Sequence, residues 1–456
     1  MSRINVNKYG ILPNTKALLT EKVQKLINNL KKGDELYFPR GEYILSTLIL
    51  KSDMTIHLAK GSRILGSTNF DDFLDLEPAL FPLYQDISHS YFNCSLFLAK
   101  NCKNISFIGN GTIDMQSIWD EKNKNNNVHR GAKVITLVEC DDVLIKGLKI
   151  LNATDLAVYF VACNNVTIRN LHMKVYIDGI SPDNSKHVLI ENCFVYSGDD
   201  AIVFKSSFNL NKFDECDDIL VRKCNLISRC NAIKFGTESN GGFKNITIHD
   251  IEMKNTRLAG IAIESVDGAI IDNIDIKNIK MKNINAPIFI HLGKRLRAPE
   301  GTKIGSISNV KISNITAKGP YVAYKTIPWN YISFTNNMVM QYHWNFNGLE
   351  YVEKKKERVT KPWQFTSNIC GLPNHYLKNI TFENFDIELY GGVKKGQYEE
   401  NVPDDYNGYP EIYAYGWTLP SSGFYFRHIE NLKLKNINFH VLNKDQRELM
   451  IFDDVK

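Results

Sequence analysis

The chain has 456 residues, 43% of them hydrophobic and 23% charged, an ordinary globular composition. Its net charge of +5 comes from scattered residues, apart from the short run Lys354, Lys355, Lys356 and Arg358, so no basic stripe of the kind that grips nucleic acid is present. No apolar run reaches the roughly 18 residues of a membrane span, and the opening MSRINVNKYG lacks the apolar centre of a secretory signal.

The first predicted element is an amphipathic helix over Thr20–Leu30, within a cap at about residues 15–34. Val23, Leu26, Ile27 and Leu30 fall on one face at the spacing that buries a helix stripe. A first strand and turn follow at Glu35–Gly41.

From there one pattern recurs: Asn, Asp or His, then apolar residues alternating with polar ones, often closed by a second Asn. It begins at Asn104, Asp142, Asn165, His187, Asp218, Asn245, Asn309, Asn379 and Asn431. Between Val143, Val166, Val188, Ile219 and Ile246 the steps are 23, 22, 31 and 27 residues. Those steps are too short for a strand, a full helix and a return strand. They fit one coil of a right-handed parallel β-helix, an all-β solenoid in which each turn supplies short strands separated by bends. Asparagine at the bends tolerates left-handed backbone and can bond to its equivalents along the stack. The helix before the repeats then covers the open end of the solenoid. The expected organisation is a single β-helix domain over residues 1–456.

Nine cysteines include no C-x-x-C pair and no Cys/His cluster at zinc spacing, so neither a metal site nor a cofactor is expected. Cys102, Cys140 and Cys163 stand just before their repeat markers, and Cys193 and Cys224 just after theirs, which predicts small buried fillers stacked on one another. Residues 320–375, with Trp329, Trp344 and Trp363, and the tyrosine-rich 391–416 interrupt the repeat. Insertions of this length either pack on the scaffold or present aromatic faces to a ligand.

The densest chemistry lies at Tyr176-Ile177-Asp178-Gly179 and Ser197-Gly198-Asp199-Asp200. The pair Asp199-Asp200 follows Asp178 by 21 and 22 residues, one coil, which predicts that all three meet on adjacent rungs. Adjacent carboxylates repel, so one holds a proton with a raised pKa. A proton donor beside an ionised carboxylate is what glycosidic hydrolysis requires. A solvated acidic turn or a calcium site would use the same residue types.

On these motifs, and on Ile4–Gly10, His57–Gly61 and Leu65-Gly66-Ser67, the sequence resembles glycoside hydrolase family 28, the polygalacturonase family. The resemblance implies a pectin-lyase-like solenoid and an inverting hydrolase. It makes Asp200 or its neighbour the general acid, with Asp178 and Asp199 activating water. The family's Gly-His-Gly is replaced here by Cys230-Asn231-Ala232, and its Arg-x-Lys by Ala262-Ile263-Glu264. A glutamate in place of that lysine would repel a uronate. Lys234 or Arg229 on the intervening rung could replace the lost cation, and Glu238 could act as a further acid or bond a neutral sugar. Lys205 matches a polar position common in the family and reads as structural. The tail Leu419–His428 resembles bacterial members that trim glycans from chain ends, which makes Arg427 and His428 candidate cleft residues.

The expected partner is therefore a pectic or related polysaccharide or oligosaccharide, with no nucleic acid and no membrane insertion. An extracytoplasmic (periplasmic or secreted) location follows from that substrate alone. A polysaccharide lyase or a non-catalytic glycan-binding β-helix are the alternatives. A lyase would need calcium and a base, and would release an unsaturated product.

Overall fold

The computed structural model describes residues 2–118, 131–319, 364–404, 408–416 and 418–456, together with the backbone of two short strands at Asn330–Ile332 and Gln341–His343. Twenty-nine strands join one continuous parallel sheet that winds as a right-handed β-helix. The repeat markers set its register. Val143 pairs with Val166, Val166 with Val188, Val188 with Ile219, and Ile219 with Ile246. All five point into the core and are buried, each contributing roughly 1.5–3 kcal/mol.

The bends repeat as the strands do. Asn278, Asn314, Asn384 and Asn436 all adopt left-handed backbone, with φ between 55 and 59°. Each side chain donates to the residue one coil back: Asn436 to Asn384 at 2.9 Å, Asn384 to Asn314 at 3.0 Å, Asn314 to Asn278 at 2.9 Å, and Asn278 to Asp250 at 3.0 Å. A short polar side chain is needed here, because most residues pay about 1–2 kcal/mol for this conformation. Inside the coil the cysteines stack as the repeat predicts: the Cys140 amide lies 3.4 Å from Cys163 Sγ, and Cys102, Cys140, Cys163, Cys193 and Cys224 are all buried thiols.

Helix α1 (Thr20–Asn29) lies at the N-terminal end with Val23 and Ile27 buried against the first coils. Its outer face, with Glu21, Lys22 and Lys25, is exposed. Covering the first coil in this way shields core side chains that no preceding coil could cover.

The strands that position the site meet along one face of the solenoid, the longer ones through only part of their length: β1 (Val158–Val161), β2 (Ile180–Asp183), β3 (Ile202–Ser206), β4 (Ile233–Ser239), β5 (Gly242–Ser265), β6 (Ile270–Leu292), β7 (Ser367–Cys370) and β8 (Ser421–Asn443). Each pairs with the next along this face. Between β3 and β4 the register shifts: Phe204 pairs with Phe235, but Ser206 pairs with Ser239. The two extra residues on β4 form a bulge that re-aims the side chains after it.

Candidate active site

Asp178 immediately precedes β2, Asp199-Asp200 precedes β3 and Asn231 precedes β4, so one corner of the coil brings them into register. The Gly179 amide donates to the Asp200 carbonyl at 3.0 Å, and the Ala201 amide to the Asn231 carbonyl at 3.1 Å. Gly179 is required by close approach: a Cβ there would lie 2.5 Å from the Ala201 carbonyl oxygen. The hydroxyls of Ser197 and Ser228 both donate to the Asp199 carbonyl at 2.7 Å, which fixes the backbone of the acidic pair.

The side chains form a directed network. Asp178 Oδ1 accepts the Asp200 amide at 3.2 Å. Asp200 Oδ1 accepts both the Asn231 amide, at 2.9 Å, and Asn231 Nδ2, at 3.0 Å. Asn231 Oδ1 in turn accepts the Ala259 amide at 3.0 Å, which fixes which way its side chain faces. Asn231 therefore holds Asp200 rather than leaving it unsupported. Carboxylate oxygens of Asp199 and Asp200 lie within 4.8 Å of each other.

Burial pushes the Asp200 carboxyl up to about 6; nearby Lys234 opposes the shift, and the charges of Asp199 and Glu411 add to it. Both bonds from Asn231 go to Oδ1, which leaves Oδ2 to carry the proton. A carboxylic acid and an ionised neighbour sharing one corner can deliver a proton and receive one.

Lys234 lies beneath this corner, almost fully buried among carboxylates: Glu411 at 3.0 Å, Glu264 at 3.5 Å and Asp200 at 4.0 Å. Glu264, expected to confront substrate as a bare repelling charge, is instead fully buried and faces Lys234. Burial raises its carboxyl well above the usual range, although Lys234 opposes this.

Glu238 is likewise buried and paired. The bulge in β4 sets it against Lys205, whose Nζ donates to Glu238 Oε2 at 2.7 Å, and His89 Nε2 lies 3.8 Å from the same oxygen. Burial holds His89 neutral, its pKa lowered to about 3. Arg229 is buried and donates to the Tyr196 hydroxyl at 2.8 Å. Its guanidinium pKa is lowered by burial.

The repeat gave no position to Glu411. It lies in the irregular segment 391–416, and its carboxylate lies 3.0 Å from Lys234 Nζ and 3.4 Å from Asn231 Nδ2. Tyr409, from the same segment, accepts a hydrogen bond from Thr237 Oγ1 at 3.1 Å and lies with its ring 5.5 Å from Lys234 Nζ. Tyr409 as a whole residue is 46% exposed, while its hydroxyl lies on the buried Thr237. Arg427 and His428, candidate cleft residues from the sequence, fasten this segment instead. Arg427 donates to the Pro403 carbonyl at 2.6 Å and to Asp453 at 2.8 Å, and His428 bridges Asp404 at 2.9 Å and Asp454 at 2.8 Å. Trp329, Trp344 and Trp363 lie outside the described residues.

Comparison with known proteins gives a consistent pattern. The model of the family described as glycosyl hydrolases family 28 matches residues 34–361, most of the chain. A Vitis vinifera protein named probable polygalacturonase is 26% identical over 298 residues, covering 60% of this chain and 60% of its own length. An exo-poly-alpha-D-galacturonosidase of Dickeya chrysanthemi is 25% identical over 257 residues, 44% of this chain and 41% of its own. The match thus spans about three fifths or less of these two relatives. Among solved structures, a hyperthermoactive exopolygalacturonase from Thermotoga maritima superposes with a TM-score of 0.65 at 20% identity, over 85% of this chain and 87% of that one. A family 28 exopolygalacturonase from Yersinia enterocolitica gives 0.64 at 18% identity, over 100% and 77%. At these identities the two structures establish the fold.

Proposed function

Because this chain belongs to glycosyl hydrolase family 28, we propose that it hydrolyses O-glycosidic bonds of a pectic or related polysaccharide or oligosaccharide, with inversion at the anomeric carbon and attack from a chain end. The observation that carries the reading is the buried Asp200, held through Oδ1 by Asn231 and shifted to about 6, one rung from Asp178. Asp200 gives its proton to the glycosidic oxygen as the bond from that oxygen to the anomeric carbon breaks. A water molecule attacks the opposite face of the sugar and loses a proton to Asp178 or Asp199. Asp200 is left as a carboxylate and regains its proton before the next cycle. The names of the Dickeya, Thermotoga and Yersinia proteins support attack from chain ends, as does the segment carrying Tyr409 and Glu411 beside the corner. A polymeric glycan substrate places the enzyme outside the cytoplasm, in a periplasm or secreted.

Incubation with pectic, hemicellulosic and algal oligosaccharides, with the product anomer read by NMR, tests the proposal. The expected result is a newly inverted anomer and an Asp200→Asn variant that folds but does not turn over. An unsaturated, ultraviolet-absorbing product, or near wild-type turnover in Asp200→Asn, overturns it.

A further inference from the structure

Asn231 occupies Oδ1 of Asp200, so the acid's proton belongs on Oδ2. That same oxygen is the one Lys234 faces. Nζ lies 4.0 Å from Oδ2, in the only ion pair Asp200 makes among the described residues. A lysine that closed this gap would compete with the proton and hold the acid ionised. The group that keeps the gap open lies elsewhere around the lysine. Glu411 Oε1 accepts from Nζ at 3.0 Å, and Glu411 Oε2 lies 3.4 Å from Asn231 Nδ2, the donor it shares with Asp200. Glu264, at 3.5 Å from Nζ, does not substitute for it, because burial raises that carboxyl well above the usual range and favours its neutral form.

Glu411 is built into this place. Two residues before it, Tyr409 accepts from the Thr237 hydroxyl at 3.1 Å; just after it, the Ile412 carbonyl accepts from Asn368 Nδ2 at 3.0 Å. Ile412 is buried in an apolar cluster with Leu258, Ala262 and Phe289, and the Ala414 amide closes a turn onto the Glu411 carbonyl at 2.7 Å. The other titratable groups about the corner bear on it from fixed positions. Asp178 and Asp199 stand on their own rungs, and Lys205 is occupied by Glu238 at 2.7 Å. The Cys230 thiol and the Tyr409 and Tyr413 hydroxyls are raised by burial and stay protonated.

We propose that Glu411 is a positioning residue for the acid: it holds the Lys234 ammonium away from Asp200 Oδ2, so that this oxygen can carry the proton the reaction delivers. The inference rests on the glycoside hydrolase reading of the same corner and adds to it a residue from outside the repeat.

The test reads the acid directly. The whole chain is labelled with [γ-13C]aspartate, and the Asp200 carboxyl signal is the one missing from Asp200→Asn. Glu411→Gln keeps the shape and an acceptor but removes the charge. Losing that anion and releasing the lysine both favour the ionised acid. The Asp200 midpoint is therefore expected to fall from about 6 by about one pH unit or more, and the falling limb of kcat/KM moves down with it. A merely structural role would lower the melting temperature and leave midpoint and limb in place, which overturns the proposal. The double variant Lys234→Met/Glu411→Gln removes the pair as a unit and covers the case in which Glu411→Gln does not fold. There the midpoint is expected to stay within about one unit of its starting value; a larger rise means that Lys234 acts on Asp200 unrestrained, and overturns the proposal. The expected shifts with no hydrolysis of any glycan by the unmodified protein would support the hold of Glu411 on Asp200 and overturn the hydrolase reading instead.

Discussion

The asparagine ladder through Asn278, Asn314, Asn384 and Asn436 and the corner formed by Asp178, Asp200 and Asn231 are built in the same way. In each, a short polar side chain at a bend is placed over its equivalent one coil away. In the ladder every member is an amide, with a donor for the next residue and an acceptor for the one after, so repetition costs nothing electrostatically. At the acidic corner the stacked groups are carboxylates, which can only accept while ionised. Repetition there leaves negative charge facing negative charge out of water. The corner eases this by ending the carboxylate run with an amide, Asn231, and by raising the Asp200 carboxyl to about 6. One stacking geometry thus gives a neutral hydrogen-bonded ladder where the side chains are amides and a shifted carboxyl where they are acidic.

Several substitutions test that contrast. The largest effect belongs to Asp200→Asn, which makes the corner resemble the ladder. Hydrolysis is expected to fall by on the order of 10²–10⁴-fold with the melting temperature little changed. Parallel losses of fold and rate would break the comparison. Glu238→Gln should come next, leaving Lys205 buried without its counter-charge at a cost of about 3–5 kcal/mol, read as a lowered urea midpoint.

The pH profile follows from the acid itself. Asp200 must be protonated to act, and its carboxyl lies raised at about 6, so activity is expected to fall as the pH rises through that value. Asn231→Ala removes a donor that favours the ionised form, so this falling limb should move to higher pH, with a smaller loss of rate than in Asp200→Asn. A limb that stays in place would remove Asn231 from the acid's environment. The smallest effect is Asn314→Gly, which keeps the left-handed backbone and deletes one ladder amide. It should cost about 1 kcal/mol and leave the pH profile unmoved.

How far the sequence reaches depends on whether a residue belongs to the repeat. Val143, Val166, Val188, Ile219 and Ile246 occupy the register their spacing implies, because alternation and coil length together fix both rung and face. The meeting of Asp178 with Asp200 was legible for the same reason. Glu238 was not, since the bulge in β4 adds two residues that no periodicity announces, and they carry it onto Lys205. The pairing of Lys234 with Glu264 depends on side-chain direction across two rungs. Glu411 was beyond reach altogether: it is 177 residues from Lys234, in a segment without repeats, where spacing says nothing about place.

The attachment of that segment has a mechanical meaning. Arg427 and His428 sit on β8 and tie residues 402–404 to the final strand through Asp453 and Asp454. A solenoid frays from its ends, and each coil feels only its neighbours. Here, however, the last coil fixes residues 402–404, and Glu411 later in the same segment contacts Lys234 and Asn231 beside Asp200, several rungs away. Loosening the C-terminal end would therefore register first as a drift in the acid's titration, with the body of the coil still wound.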